Sequence, residues 1–386
     1  MIKREAEKEL RCLSGQFKAV VLTGPRQSGK TTLARYVFAD RPYVNLENPD
    51  ERRFASEDPR GFLEKYRGGA IIDEIQRCPE LFSYLQQVLD ETRSKGRFIL
   101  TGSNNFLLQE SISQTLAGRV AYLNLLPFVI SEFPGKKAGR LNRRILDGFY
   151  PPVYDQKIEF DKWYPNYIRT YVERDVRLIR NISNLNVFEK FMRLCAGRSG
   201  QLLNVNSMAA ETGIDNKTIS SWISVLESSY IVFRLYPHHR NFNKRVIKMP
   251  KIYFYDTGLV CSLLGINNEK QLEYHPLYGN IFETLVVSEF IKHFYNRGST
   301  SGLYFWRDNT GHEIDLLIEK GEELFPVEIK SGQTINNEFL KPVQFWKKLS
   351  GARGGVVVYG GDRSQHRSDG IDIIPWNKVD AITNSL

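Results

Sequence analysis

The stretch GPRQSGKT at residues 24–31 follows an apolar run at 19–22 and precedes a helical pattern that begins near Lys30. The spacing GxxxxGK[ST] between a strand and a helix is typical of a loop whose backbone N–H groups surround a polyphosphate. We expect Lys30 to reach the β- and γ-phosphates of a nucleotide and the Thr31 hydroxyl to ligate Mg²⁺. The residues predicted to bind the nucleotide are Gly24, Pro25, Arg26, Gln27, Ser28, Gly29, Lys30, Thr31 and Thr32.

Short apolar runs recur along the first part of the chain and alternate with segments of helical length. The runs lie at Tyr43–Leu46, Ala70–Ile72 and Arg97–Leu100, and Pro79–Lys95 is one of the helical segments. This alternation predicts a parallel sheet covered by helices, and therefore an α/β fold. We expect residues 1–160 to form this domain, including a basic lid or linker at its end.

Two carboxylates, Asp73 and Glu74, end the apolar stretch AIIDE. In phosphoryl transfer, such a pair can hold hydrated Mg²⁺ with the first acid and orient or deprotonate the attacking water with the second. A later strand ends in TGSN, where either Ser103 or Asn104 could sense the γ-phosphate, although a simple turn at the strand end fits almost as well. The sequence therefore predicts hydrolysis of ATP, with Mg²⁺ as the metal and Lys30, Asp73 and Glu74 as catalytic residues.

Together, the phosphate loop, IIDE, TGSN and LAGR (116–119) resemble the AAA-plus ATPases. The later stretches YVERDV, KIYFYDTGL, NIFETLVV and EIDLLIEKGEELFPVEIK resemble the C-terminal region of a widespread prokaryotic family of these ATPases. The resemblance implies that Arg119 acts catalytically at the γ-phosphate bound by a neighbouring subunit, and hence that the protein forms a ring, which we expect to be a hexamer. From the residues alone, Arg119 fits equally well as a solvated cation at a helix end. No second sensor arginine can be placed.

Residues 161–270 are expected to form a helical domain of winged-helix type. The stretch 204–230 predicts a helix, a glycine turn and a second helix, and strands follow at Ile231–Leu235 and Ile252–Tyr255. The basic stretch between these strands is predicted to be a wing that contacts DNA phosphates. Helix-turn-helix units are also frequent protein-packing modules, and the second helix lacks an obvious set of base-reading side chains. The predicted DNA-binding residues are Lys217, Arg240, Lys244, Arg245 and Lys248.

Residues 271–386 change to the order helix, three strands, helix and strand. Asp315 lies thirteen residues before Glu328, and Glu328 shares a strand face with Lys330 because they are two residues apart. Paired strands would bring these side chains together as a divalent-metal site beside a lysine, which is the chemistry of phosphodiester hydrolysis. With Glu283 on the preceding helix, the pattern resembles the restriction-endonuclease-like fold of PD-(D/E)xK type. Such folds often persist as binding modules, so cutting and binding both stay open. The predicted nuclease residues are Glu283, Asp315, Glu328 and Lys330, and the predicted metal ligands are Thr31, Asp73, Glu283, Asp315 and Glu328.

The amino-acid composition limits the class of protein, the number of domains and the kinds of partner that can be expected. The 386 residues, 41% hydrophobic and 25% charged, are those of an ordinary folded protein, and at about 150 residues per domain they suggest two or three domains. The four cysteines lie far apart, which argues against a zinc knuckle or a disulfide framework. No apolar window approaches the roughly 18 residues of a membrane-spanning helix, so we expect a cytoplasmic protein without a membrane partner. Lys and Arg exceed Asp and Glu by 53 to 44, a net charge of +9, which is compatible with an anionic partner.

These features predict an ATP-hydrolysing ATPase that acts on DNA, with branched or recombining DNA as one candidate substrate. One alternative is an ATP-gated signalling or stress switch whose C-terminal domains bind proteins; its turnover would be slow and indifferent to DNA. The other is an ATP-licensed endonuclease that depends on Mg²⁺ or Mn²⁺.

Overall fold

The N-terminal part of the protein is built on one parallel sheet. The computed structural model describes residues 2–103, 115–133, 139–172, 185–239, 246–299 and 302–385. The strands of the first sheet are β1 (Ala19–Gly24), β2 (Tyr43–Asn45), β3 (Ala70–Asp73), β4 (Phe98–Ser103) and β5 (Val120–Asn124). Their order is β2-β3-β4-β1-β5, and every neighbouring pair is parallel. The predicted α/β class is confirmed.

Helices cover both faces of this sheet. They are α1 (Glu7–Gln16), α2 (Lys30–Val37), α3 (Pro49–Glu57), α4 (Pro59–Lys65) and α5 (Leu81–Glu91). Alternate residues of β1 enter different apolar clusters, because successive side chains of a strand point to opposite faces. Val21 belongs to one cluster, and Val20 and Leu22 belong to the other. Burial on both faces explains the continuous apolar runs in the sequence, and it leaves the carboxyl ends of β1, β3 and β4 to meet at one edge.

The middle of the chain is mainly helical. Its elements are α6 (Leu141–Asp147), α7 (Pro151–Asp155), α8 (Phe160–Tyr167), α9 (Leu185–Gly197), β6 (Gln201–Leu202), α10 (Val205–Thr212), α11 (Asn216–Ser228), β7 (Val232–Leu235), β8 (Lys251–Phe254), α12 (Thr257–Leu263) and α13 (Glu269–Glu273). The three strands form an antiparallel sheet in the order β6-β8-β7. The predicted helix, glycine turn and helix are present as α10, Gly213 and α11, and the Asp215 side chain caps α11.

The C-terminal part contains a second, mixed sheet. Its elements are α14 (Tyr278–Asn296), β9 (Leu303–Arg307), β10 (Glu313–Lys320), β11 (Glu323–Lys330), α15 (Lys341–Ser350), β12 (Gly355–Tyr359), β13 (Gln365–His366), β14 (Ile371–Pro375) and α16 (Val379–Ser385). The strand order is β13-β14-β12-β11-β10-β9; β9, β10 and β11 pair antiparallel, and β11, β12 and β14 pair parallel. The predicted order helix, three strands, helix and strand is present, and β13 and β14 extend it.

The basic stretch between β7 and β8 is not a free wing where the structure describes it. On one side of the gap at 240–245, the His238 N–H donates to the Phe305 carbonyl at 2.8 Å. On the other side, the Ile247 N–H donates to the Arg307 carbonyl at 3.0 Å. Both acceptors belong to β9, so this stretch lies along the edge of the C-terminal sheet. The sequence could not reveal this, because the partner strand lies about sixty residues further along the chain.

A single apolar core joins the middle and C-terminal parts. The cluster runs from Leu126 to Ile382 and includes buried residues of α11, β8, α14 and β11. It also contains Leu141, Ile145 and Phe149, so the described part of the expected lid or linker packs against this core. None of the helices in the described part of the chain combines the length and apolar character that crossing a membrane requires.

Candidate active site

Two glycines shape the loop between β1 and α2. Gly24 has φ of +146°, and a Cβ placed on it would lie 2.1 Å from the Leu125 carbonyl oxygen. Gly29 has φ of +92° directly before the first residue of α2. A side chain at either position would be strained. The glycines therefore keep the turn tight enough for backbone N–H groups to point toward a bound anion at the start of a helix.

Lys30 lies inside this loop with 6% of its surface exposed. Its Nζ donates to the carbonyl oxygens of Gly24 at 3.1 Å and Pro25 at 2.8 Å. The Ser28 hydroxyl is buried and has no hydrogen-bond partner among the described residues. Leaving a buried hydrogen-bond donor without a partner costs free energy. An anion bound in the loop would accept hydrogen bonds from both the Ser28 hydroxyl and the Lys30 ammonium. Thr32 is exposed on α2.

Asp73 ends β3 and accepts three hydroxyl groups. The Thr31 hydroxyl donates to its Oδ2 at 2.9 Å and the Tyr43 hydroxyl donates to the same oxygen at 2.8 Å. The Thr101 hydroxyl donates to Oδ1. Burial, together with the bond to Asp73, raises the pKa of Tyr43 well above its ordinary value. The carboxylate is 4% exposed and holds Thr31 beside it, and such hard oxygen donors are the ones that Mg²⁺ prefers.

Glu74 follows in the left-handed backbone region, with φ of +54°. Its Oε2 accepts hydrogen bonds from the Gln76 amide and from the Ser103 hydroxyl, the latter at 3.3 Å. Gln76 also donates to the Ser103 hydroxyl at 3.2 Å. The structure thus brings Ser103 into contact with Glu74, whereas Asn104 lies outside the described residues. A carboxylate held in this way can orient a water molecule and accept its proton.

Sequence reasoning missed Tyr43, Gln76 and Thr101. Thr101 could have been found, because it lies two residues before Ser103 and therefore on the same face of β4. Tyr43 reaches Asp73 only because β2 and β3 pair in the register that places Asn45 opposite Asp73. No local motif indicates that register.

Arg119 lies away from the phosphate loop of its own chain. It precedes Val120, which pairs with Ala19 at the start of β1, and five strand residues correspond to about 17 Å. Its guanidinium forms two hydrogen bonds with Asp90, at 2.6 and 2.8 Å. The hydrogen bond from Arg119 lowers the pKa of Asp90. An action of Arg119 at the nucleotide of a neighbouring subunit stays a prediction.

Hydrogen bonds connect the surroundings of the phosphate loop to the N-terminal segment and to the helical middle of the chain. Arg4 is buried and donates to the Ser28 carbonyl at 2.8 Å and to the Leu126 carbonyl at 2.7 Å. Asn124 Oδ1 accepts from the Thr23 hydroxyl at 2.7 Å and from the Tyr230 hydroxyl at 2.6 Å. Thr23 immediately precedes the loop and Tyr230 follows α11 by two residues. The loop is thereby connected to the helical middle.

The four predicted nuclease residues lie on α14, β10 and β11. The Asp315 carboxylate accepts the Ile329 N–H at 2.8 Å, and Glu328 pairs with Lys330 at 2.6 Å. Burial, followed by the charges of Glu328 and Glu283, raises the pKa of Asp315 well above its ordinary value. Burial raises the pKa of Glu328 to about 7. Within the described ranges, however, no three acidic, histidine or cysteine side chains are arranged to hold one metal ion. The structure therefore does not assemble Glu283, Asp315 and Glu328 as a metal site.

Of the five predicted DNA-binding residues, the structure describes Lys217 and Lys248. Lys217 is exposed on α11, as are Asn216, Ser220 and Ser224. On the opposite side of this helix, the buried ring of Trp222 packs edge-on against Phe188 and Phe191, which places it in the core. Lys248 is exposed before β8. Arg240, Lys244 and Arg245 lie outside the described residues.

Three family models match successive parts of the chain. Residues 16–134 match a family model described as an AAA domain. Residues 138–270 and 278–379 match two domains of unknown function, DUF8612 and DUF4143. The N-terminal domain is thus an AAA-type P-loop ATPase domain, as its strand order and loop indicate.

The chain belongs to the family of AAA-domain proteins that includes the uncharacterized protein Rv2008c of Mycobacterium tuberculosis. The two are 32% identical over 383 residues, which cover 98% of this chain and 84% of that protein. An uncharacterized protein of Haemophilus influenzae is 21% identical over 332 residues, 79% of this chain and 75% of that protein. Among solved structures, the Walker-type ATPase PABY2304 of Pyrococcus abyssi is similar with a TM-score of 0.39 and 14% identity, over 68% of this chain and 96% of that chain.

Proposed function

We propose that this protein hydrolyses ATP and uses the turnover to act on DNA. The observation that carries the proposal is the convergence of Lys30, Thr31, Asp73 and Glu74 at one edge of a parallel sheet, with Asp73 bonded to Thr31 and Glu74 bonded to Ser103. Ligands of open α/β sheets bind at this edge, outside the carboxyl ends of the strands.

ATP and Mg²⁺ fit the donors found there. The backbone of residues 24–31, Ser28 and Lys30 would hold the phosphates, and Thr31 and Asp73 would hold the metal. Mg²⁺, when bound, neutralises charge on the β- and γ-phosphate oxygens. Glu74 would take the proton of the attacking water, and Gln76 and Ser103 keep its carboxylate in place.

Action on DNA is supported by the helical middle. We propose a winged-helix domain over residues 161–270 and a restriction-endonuclease-like domain over 271–386. The exposed face of α11 presents small polar side chains and Lys217, which could enter a groove and contact phosphate. The bonds from Tyr230 through Asn124 to Thr23 connect the end of α11 to the strand before the phosphate loop. This connection offers a route by which the nucleotide state reaches the DNA-binding helix.

An ATPase assay across single-stranded, duplex and branched DNA tests this proposal. We expect DNA to raise the rate of ATP turnover, and we expect binding to weaken steeply with salt because phosphate contacts release counterions. Lys217→Ala should reduce the slope of log affinity against log salt by about 1. The control Lys270→Ala, at an exposed site on α13, should leave the slope unchanged. Turnover that ignores DNA at every salt concentration would favour an ATP-gated switch that binds proteins.

We also propose a ring in which Arg119 reaches the nucleotide of a neighbouring subunit. Such a ring predicts complementation between two inactive variants. Arg119→Ala keeps Glu74, and Glu74→Gln keeps Arg119, so each variant alone should hydrolyse ATP poorly. If the arginine acts across a heterologous interface, about a quarter of the sites in a random 1:1 mixture contain both groups, and activity should return to that extent. Mixtures as inactive as the separate variants, or a monomer by light scattering with ATP present, would contradict the ring.

A further inference from the structure

A lysine from the middle of the chain lies among the carboxylates of the C-terminal part and bonds one of those expected to hold a divalent cation. Lys251 begins β8 and is 3% exposed. Its Nζ bonds Glu283 Oε1 at 2.8 Å and forms a second ion pair with Glu313. A positive charge that belongs to the chain itself therefore lies against the acidic residue that α14 was expected to supply to a metal.

The carboxylates of this group also have other partners within the protein. Glu283 Oε1 accepts the Tyr253 hydroxyl at 2.5 Å, and the second oxygen of Glu313 pairs with Arg307 at 3.0 Å. Asp315 accepts a backbone N–H, and Glu328 Oε1 pairs with Lys330. Glu328 Oε2 is buried and has no hydrogen-bond partner within the described ranges. Among the residues that the structure describes, moreover, no three of these acidic side chains are arranged to hold one metal ion.

The charges lead to the same conclusion. Four carboxylates, those of Glu283, Glu313, Asp315 and Glu328, face three cations, those of Lys251, Arg307 and Lys330. Most of the negative charge that would attract a divalent ion is therefore already paired. The donor set does not fit the metal that a nuclease-like fold implies.

We propose that Lys251 serves as the cation of this carboxylate cluster, so that the C-terminal domain binds neither Mg²⁺ nor Mn²⁺ and does not cut DNA. The cluster instead joins β8 of the middle sheet to α14 and β10 of the C-terminal part. This role is independent of ATP hydrolysis and would hold even if the nucleotide site were inactive. It also agrees with the apolar core that the two parts share.

The proposal is tested on the full chain without nucleotide. Bound Mn²⁺ is counted by electron paramagnetic resonance for the wild type and for Asp315→Asn, and the two should bind equally. Breaking a buried ion pair from one side leaves charges uncompensated, so Lys251→Gln should lower the Tm by roughly 6–12 °C. The matched control Lys320→Gln removes an exposed lysine from the end of β10 and should leave the Tm unchanged.

Two results would overturn the proposal. One is an additional Mn²⁺ on the wild type that Asp315→Asn loses, or Mn²⁺-dependent strand cutting by the wild type that Asp315→Asn abolishes. The other is a Lys251→Gln protein that unfolds at the wild-type temperature. The metal count needs no variant at position 251, so it decides the question even where Lys251→Gln fails to fold.

Discussion

Replacing Lys30 with alanine should abolish ATP turnover and weaken ATP binding. The ammonium is the buried cation of the phosphate loop, and its present acceptors are two backbone carbonyls of that loop. Loss of one preorganised donor at a charged transition state typically costs about 10²–10³ in rate. We expect at least this loss in phosphate release, together with a much smaller heat of ATP binding in calorimetry.

The control for this prediction is Lys95→Ala. Lys95 is exposed in the turn before β4, at the end of the sheet opposite the phosphate loop, so turnover should stay at the wild-type level. Equal unfolding temperatures of the two variants would show that the loss is local. Normal hydrolysis by Lys30→Ala would remove the basis of the proposed ATPase.

Glu74→Gln should bind ATP and fail to hydrolyse it. The amide keeps the size of the side chain but cannot take a proton from water, and general-base catalysis contributes about 10²–10⁴ in rate. The phosphate loop and Asp73 are unchanged, so ATP and Mg²⁺ should remain bound. Single-turnover measurements with filter-bound ATP separate the two effects, since the complex should persist while phosphate release stops.

Glu57→Gln is a suitable control because Glu57 is exposed at the end of α3. It should leave both binding and turnover unchanged. Two outcomes would contradict the role assigned to Glu74. If Glu74→Gln hydrolysed ATP at the wild-type rate, another group would have to accept the proton. If it lost ATP binding as well, Glu74 would act in holding the ligand.

The nucleotide site could be predicted well because its chemistry is encoded locally. The spacing between Gly24 and Thr31 specifies the loop, and the strand that ends at Asp73 is an apolar run followed by acids. Tyr43 could not be predicted, since it meets Asp73 only through the register of β2 against β3. Local patterns find the residues of a loop, whereas partners on neighbouring strands depend on pairing that the pattern leaves open.

The same limit explains two differences between prediction and structure in the second half of the chain, the position of the stretch between β7 and β8 and the burial of Lys251. Strands β7 and β8 were predicted from their apolar runs, but the stretch between them lies on β9, a strand that is distant in sequence. Lys251 ends the basic stretch that was predicted to contact DNA phosphates. Its burial follows from the packing of β8, in which all four residues are buried.

The continuous core from Leu126 to Ile382 limits where the chain of such a protein, and hence its gene, can be divided. The two family models part between residues 270 and 278, but the apolar interior has no boundary there. A chain cut at that point would expose the apolar faces of α12 and α14 to water and would be prone to aggregate. Gene fusion or fission that separates these segments should therefore be disfavoured, and the pair should be inherited as one piece.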